Sequence, residues 1–221
     1  MVNVNIPLAQ ILEESRGLGH RLRSDLAVMR RGWGEAPGLA YRGPADFVLR
    51  HGTLKHGTKL PDDAPHGMER ACYYNALLGS LAFGWAYIEG FAVHPAVRGD
   101  EGRAVPIAHA WNENANGEVF DLTWRWGWHV ADWAMAGWYM GVPFTAARAH
   151  DCTWHGDGSV LHDPQRGWGV LASPWAGEES PGELAGLIGV IAGDMKREGG
   201  KFARMAVDLE RRARAEGWPS A

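Results

Sequence analysis

The sequence predicts an α+β fold in which one central helix packs on an antiparallel sheet, and three stretches carry that prediction. Residues 72–83 are apolar on nearly every face and stop at Gly84, as a buried helix with a glycine terminator does. Residues 85–93 alternate, with Tyr87, Glu89 and Phe91 on one side and Ile88, Gly90 and Ala92 on the other, which is strand periodicity. Two more alternating runs flank the turn sequence NENANGE: Val105, Ile107, His109 and Trp111 before it, Val119, Asp121 and Thr123 after it. At 221 residues the chain can bury one good-sized core, so a single domain over 1–221 is expected.

The remaining elements fit around this centre. From Leu8 to Arg31 apolar residues recur at helical spacing, with Gly17 and Gly19 placed to break or weaken the helix. This gives an N-terminal helical segment over 1–35; its mildly basic face (Arg16, Arg21, Arg23, Arg30, Arg31) reads as solvated surface. Residues 32–67 are rich in Gly and Pro, with one short helix near 45–51, and read as an irregular approach that walls a cleft. The core proper is expected over 40–145, with a loop at 94–103 and a last strand near Tyr139 to Phe144. Residues 150–180 read as an extended loop. Ser180-Pro181-Gly182-Glu183 then supplies an N-cap, a proline for the first turn and a capping-box glutamate, opening C-terminal helices over 181–217 that dock on the domain.

Composition narrows the function. A formal charge of −4 argues against a general nucleic-acid binder, which needs clustered Lys and Arg. Two cysteines, Cys72 and Cys152, are few for a secreted scaffold of this size, so reduced thiols and a cytoplasmic setting are expected. The N-terminus has neither the basic nor the apolar region of a signal peptide. LAGLIGVIAG, the longest apolar run, is about half of the roughly 20 residues a membrane span needs. Six of the twelve tryptophans fall between Trp111 and Trp138, which calls for an aromatic core or a stacking surface. Trp111 and Trp124 sit inside expected strands and suit the core; Trp126, Trp128 and Trp133 suit a cleft wall.

The chemistry centres on three side chains. Cys72 falls in the first turn of the central helix, where unpaired backbone N–H groups and the helix dipole favour a thiolate. A hairpin symmetric about Ala115 would pair Trp111 with Val119 and place His109 directly opposite Asp121, with Cβ atoms about 4.5–5.5 Å apart. A slip of one residue would send Asp121 to the other face. Each residue alone has a plain structural reading: a small buried hydrophobe, a satisfied core histidine, a turn cap. The order Cys, His, Asp and the register join them.

A Cys opening a helix, then YIEGFA, then HAW and DLTW, resembles the transglutaminase-like core of the papain-like cysteine hydrolase superfamily, and is similar to phage and bacterial proteins of that type. The resemblance spans roughly residues 68–144, about a third of the chain. It implies a papain-like, transglutaminase-core fold with Cys72 as nucleophile, His109 as general base and acid, and Asp121 as the group that orients the imidazole. The reaction implied is attack on a carbonyl, a thioester, then transfer to water or an amine. A peptide, protein or small amide is the expected substrate. Papain-type enzymes carry a Gln just before the nucleophile, and no counterpart exists here. The Cys72 N–H, a tyrosine hydroxyl or Asn75 are the candidates for oxyanion donor. Glu89, Asn75, Trp111 and Trp126 are the candidate substrate-binding residues; Glu89 reads equally as a buried carboxylate paired with Arg70 or another arginine, and Asn75 as a packing residue. His150, Cys152, His155, His162 and Asp163 are metal-ligand types, but their spacing matches no zinc signature, and no phosphate loop is present, so neither metal nor cofactor is expected. The expected function is a cysteine-dependent amide hydrolase or acyltransferase, and the alternative is a binding protein that keeps the fold without turnover.

Overall fold

A computed structural model of the chain describes residues 8–34, 37–61, 67, 70–124, 133–155, 158–161, 170–172 and 197. It is an α+β arrangement: one five-stranded antiparallel sheet with helices packed on it. The elements run α1 (Leu8–Ser15), α2 (Leu18–Gly32), α3 (Pro44–His51), β1 (Thr53–His56), α4 (Cys72–Phe83), β2 (Ala86–Val93), β3 (Ile107–Glu113), β4 (Val119–Phe120), a 3-10 turn (Trp133–Ala136), β5 (Trp138–Phe144) and α5 (Ala146–His155). The N-terminal helix breaks at Arg16-Gly17, as its glycine predicts, whereas Gly19 stays inside α2. Gly84 terminates α4 in the left-handed conformation (φ 66°), with its N–H donated to Ser80 O.

Three expectations are corrected. β1 forms inside the stretch read as irregular, and α5 carries the chain as helix to His155, where an extended loop was expected from residue 150. The hairpin register is also offset. Asn112 pairs with Phe120 and Glu113 with Val119, two residues from the expected pairing. The turn is the cause. Asn114 Oδ1 accepts from Asn116 N (2.9 Å) and Glu118 N (3.0 Å), and Gly117 takes the left-handed conformation (φ 76°), so the loop is 115–117 rather than one centred on Ala115. The helices expected over 181–217 lie outside the described residues, apart from Arg197.

The sheet order is β1-β5-β2-β3-β4, and the sheet curls until its two edges touch. Gly57, just past β1, forms a bridge with Val119 of β4, and Thr58 N donates to Val119 O at 2.9 Å. Lys55 on β1 pairs with Glu113 on β3. Because strand side chains alternate, the concave face holds Ile88, Ala92, His109, Trp111, Val119 and Tyr139, nearly all sealed from solvent. The convex face holds Tyr87, Phe91, Ala110, Met140 and Val142, packed with Leu22 and Leu26 of α2, Phe47 and Val48 of α3, and Ala76, Leu77 and Leu81 of α4. Gly141 gives the concave face room for its largest ring: a Cβ there would lie 2.4 Å from Trp111.

α4 is locked to the sheet by one buried amide. Asn112 Nδ2 donates to Ala76 O (2.7 Å) and Ser80 Oγ (3.1 Å) on α4 and to Ala86 O (3.3 Å) at the start of β2. Gly79 makes the approach possible, since a Cβ on it would meet Asn112 Oδ1 at 2.1 Å. An exposed helical Gly→Ala change stabilises by about 1 kcal/mol; here the same change displaces a fully buried amide. Gly79→Ala is therefore expected to destabilise the fold by about 2–4 kcal/mol in urea denaturation, and equal or greater stability in the variant would refute the lock.

Candidate active site

The position of Cys72 is set by a turn of unusual backbone. Arg70 adopts φ 58°, a left-handed conformation uncommon outside glycine, and Ala71 follows as an N-cap that offers no side-chain hydrogen bond. Cys72 is thus the first residue of α4, half-buried, at a helix start whose N-cap residue supplies no side-chain hydrogen bond. Both cysteines are free thiols; Cys152, on α5, is buried.

β4 matters because it is short. The ladder with β3 stops at Phe120, so Asp121 leaves the sheet one residue later, at the edge where the first turn of α4 lies. Asn75 of that turn donates from Nδ2 to Thr123 Oγ1 at 2.9 Å, tying helix to departing loop. In the observed register Asp121 continues opposite Trp111, and His109 becomes its diagonal neighbour on the same face. The offset is two residues, not one, so the face is kept. His109 Nε2 donates to Asp121 Oδ2 at 2.6 Å, with both side chains buried. The sulfur of Cys72 lies near enough to the same imidazole to act on its charge. With Nε2 engaged by the carboxylate, Nδ1 is the ring nitrogen left for the thiol.

The electrostatics follow from these contacts. Burial alone would push the His109 pKa down; the charge of Asp121, the sulfur of Cys72 and the hydrogen bonds to both outweigh it and raise it from 6.5 to about 10. Burial likewise pushes Asp121 up, but the His109 charge and hydrogen bonds from His109, Thr123 N and Tyr139 hold it below its ordinary 3.8. Among the described residues the carboxylate has four donors: Thr123 N (2.9 Å) and Trp124 N (3.4 Å) on Oδ1, His109 and the Tyr139 hydroxyl (3.0 Å) on Oδ2. Trp124 covers the imidazole, ring centroids 5.0 Å apart at 26°, and its own face meets the edge of buried His94 at 4.5 Å. A thiol, an imidazole and an ionised carboxylate so placed can pass a proton from sulfur to nitrogen and hold the resulting imidazolium.

Of the residues singled out in the sequence, Cys72, His109 and Asp121 come together. The three substrate-binding candidates that the structure describes are buried. Glu89 is buried on the convex face, where its carboxylate accepts from Tyr87 OH (2.6 Å), Ser159 Oγ (2.7 Å), Val160 N (2.8 Å) and Leu161 N (3.0 Å). No arginine is among these donors; burial raises its pKa, and the four bonds hold that rise in check. Asn75 is buried, and its Nδ2 donates to Thr123 Oγ1, so in this arrangement it ties α4 to the loop after β4. Trp111 is 1 % exposed and belongs to the concave core. Trp126 lies outside the described residues, as do Trp128 and the side chain of Trp133. Of the metal-ligand types, His150 and Cys152 are buried on α5, and His162, Asp163 and the side chain of His155 lie outside the described residues. Tyr139 and the stacking role of Trp124 escaped the sequence reading. The period-2 pattern of β5 puts Tyr139 on one face with Gly137 and Gly141, but nothing local says that this face is the one His109 shares.

No protein-family model, curated protein or solved structure matches the chain.

The pair should leave a mark on stability. His109 has a raised pKa, so its contribution is complete below about pH 6.5 and lost as the pH climbs to about 10; Asp121 has a lowered one, so its contribution is lost only as the pH falls below 3.8. In Asp121→Asn the imidazole lacks its anion. The fall in Tm between pH 6.5 and 10 is expected to be shallower in that variant than in the parent, measured by calorimetry across the range; parallel slopes would show that the two groups are not coupled.

Proposed function

We propose that this protein is a cysteine-dependent amide hydrolase or acyltransferase with a papain-like, transglutaminase-type core. The observation that carries the reading is the 2.6 Å bond from His109 Nε2 to buried Asp121, on an imidazole whose charge is also stabilised by the nearby thiol that opens α4. In this mechanism His109 takes the Cys72 proton through Nδ1, and the thiolate attacks a carbonyl carbon. The tetrahedral oxyanion is stabilised by the Cys72 N–H at the helix start, where Ala71 offers no side-chain cap. His109 then gives its proton to the leaving amine, the thioester remains on Cys72, and water or an amine completes the transfer with His109 as base. Asp121 stays ionised throughout, holding the ring in one orientation. Trp124 shields the Asp121–His109 bond from water.

The substrate class is a peptide, protein or small amide, and no cofactor enters the scheme. A cytoplasmic setting agrees with two free thiols, and among the described residues no helix is long and apolar enough to cross a membrane. The second reading, a binding protein that retains the fold without turnover, is favoured by the small opening: His109 is only 2 % exposed and Cys72 half-buried.

Thiol chemistry separates the two. Iodoacetamide at pH 7 is expected to modify Cys72 well ahead of buried Cys152, with His109→Ala slowing the Cys72 rate on the order of 10-fold or more, followed by peptide mass spectrometry. Slow and equal labelling of both cysteines, unchanged by the histidine substitution, would establish the binding reading instead.

A further inference from the structure

The carboxylate of Asp121 is served unequally on its two oxygens. Among the described residues, Oδ1 accepts from backbone N–H groups of its own segment, Thr123 at 2.9 Å and Trp124 at 3.4 Å, and these fix the carboxylate to its loop. Oδ2 accepts from two side chains that come from other strands: His109 on β3 at 2.6 Å and Tyr139 on β5 at 3.0 Å. A carboxylate oxygen has two lone pairs, so imidazole and phenol occupy both. Tyr139 is 0 % exposed and reaches Asp121 across the concave face, where bulk water cannot take its place.

We infer that the Tyr139 hydroxyl is a fourth member of the site, a positioning residue that shares Asp121 Oδ2 with His109 and so limits how tightly the carboxylate holds the imidazolium. The inference rests on the function proposed above. Each hydrogen bond donated to a carboxylate draws on its charge. Without the phenol, Oδ2 would serve the imidazole alone, and Asp121 would stay in place because Oδ1 is anchored independently. The imidazolium would then hold its proton more firmly. An acid that must protonate a departing amine works poorly when it is too weak, so the hydroxyl keeps His109 in a useful range. Burial and the Asp121 charge both keep the phenol protonated, hence a donor.

A second residue is fitted to the same purpose. Gly137 precedes β5, and a Cβ on it would lie 2.7 Å from the Tyr139 hydroxyl oxygen and 2.7 Å from Trp124 Cζ3. Its backbone is not left-handed, so space rather than conformation calls for glycine here. Among the described residues the other ionisable groups around the ring are Cys72 from α4, Asp121 from the loop after β4, and His94, which touches Trp124; Glu89 lies on the opposite face of the sheet.

The test is a carbon-13 NMR titration of His109 in histidine-labelled protein, the signal assigned by its absence in His109→Ala. In Tyr139→Phe the midpoint is expected to rise by at least about half a pH unit, roughly a threefold gain in proton affinity. Gly137→Ala, which displaces the hydroxyl without removing it, is expected to move the midpoint the same way, and it decides the matter if Tyr139→Phe does not fold. A phenol that merely filled space would lower Tm and leave the midpoint alone. An unchanged or lowered midpoint, with Cys72 labelling still accelerated by His109, overturns this inference and leaves the proposed function intact. Labelling that His109→Ala fails to slow overturns the function itself.

Discussion

The meeting of the two sheet edges is the constraint from which the rest follows. Thr58 N bonds to Val119 O across the seam, and Lys55 reaches Glu113 beside it. A flat five-stranded sheet would leave one face open to water. Curled, it makes a dry interior for Trp111, Tyr139 and His109. In that interior a hydrogen bond between charged groups is worth far more than at a surface, because little water competes for it. The His109–Asp121 pair is therefore a product of sheet curvature as much as of the two residues.

Placing the sulfur beside that pair depends on a different device, the early end of β4. Had the ladder continued past Phe120, Asp121 would have been held in a regular strand and the space against its edge closed to α4. Instead the chain turns away, and Asn75 and Thr123 bind helix to loop. Asn112 and Gly79 fix the helix further along, so its first turn has little freedom to slide. The strained φ of Arg70 fits this picture: a residue holds an unfavourable backbone only where its surroundings over-determine it.

How much of this was legible depended on whether the signal was local. The apolar run of α4, its Gly84 stop and the alternation of β2 are local patterns, and each element formed where its pattern lies. So did the parity that puts His109 and Asp121 on one face, since a two-residue offset preserves it. The offset itself was not legible, because Asn114 and Gly117 decide the loop by side-chain bonding and a left-handed backbone that the symmetric reading ignored. β1 is four residues with no inward-outward rhythm, and only its pairing with β5 makes it a strand. Glu89 stayed open between a functional acid and a buried carboxylate for a related reason: its donors arrive from Ser159, Val160 and Leu161, far along the chain, rather than from an arginine.

Those donors carry an implication for the architecture of the chain. The stretch proposed as the catalytic core ends near residue 144, yet the middle strand of its sheet contains a carboxylate whose partners, Tyr87 excepted, arrive about seventy positions later in the sequence. Excised at its apparent boundary, the core would bury an acid with a single phenol for company, an arrangement that costs several kcal/mol by the usual scale for uncompensated charge. The segment around Ser159 is thus a structural completion of the sheet rather than a tail appended to it, and any shortened or swapped version of this protein has to carry it along.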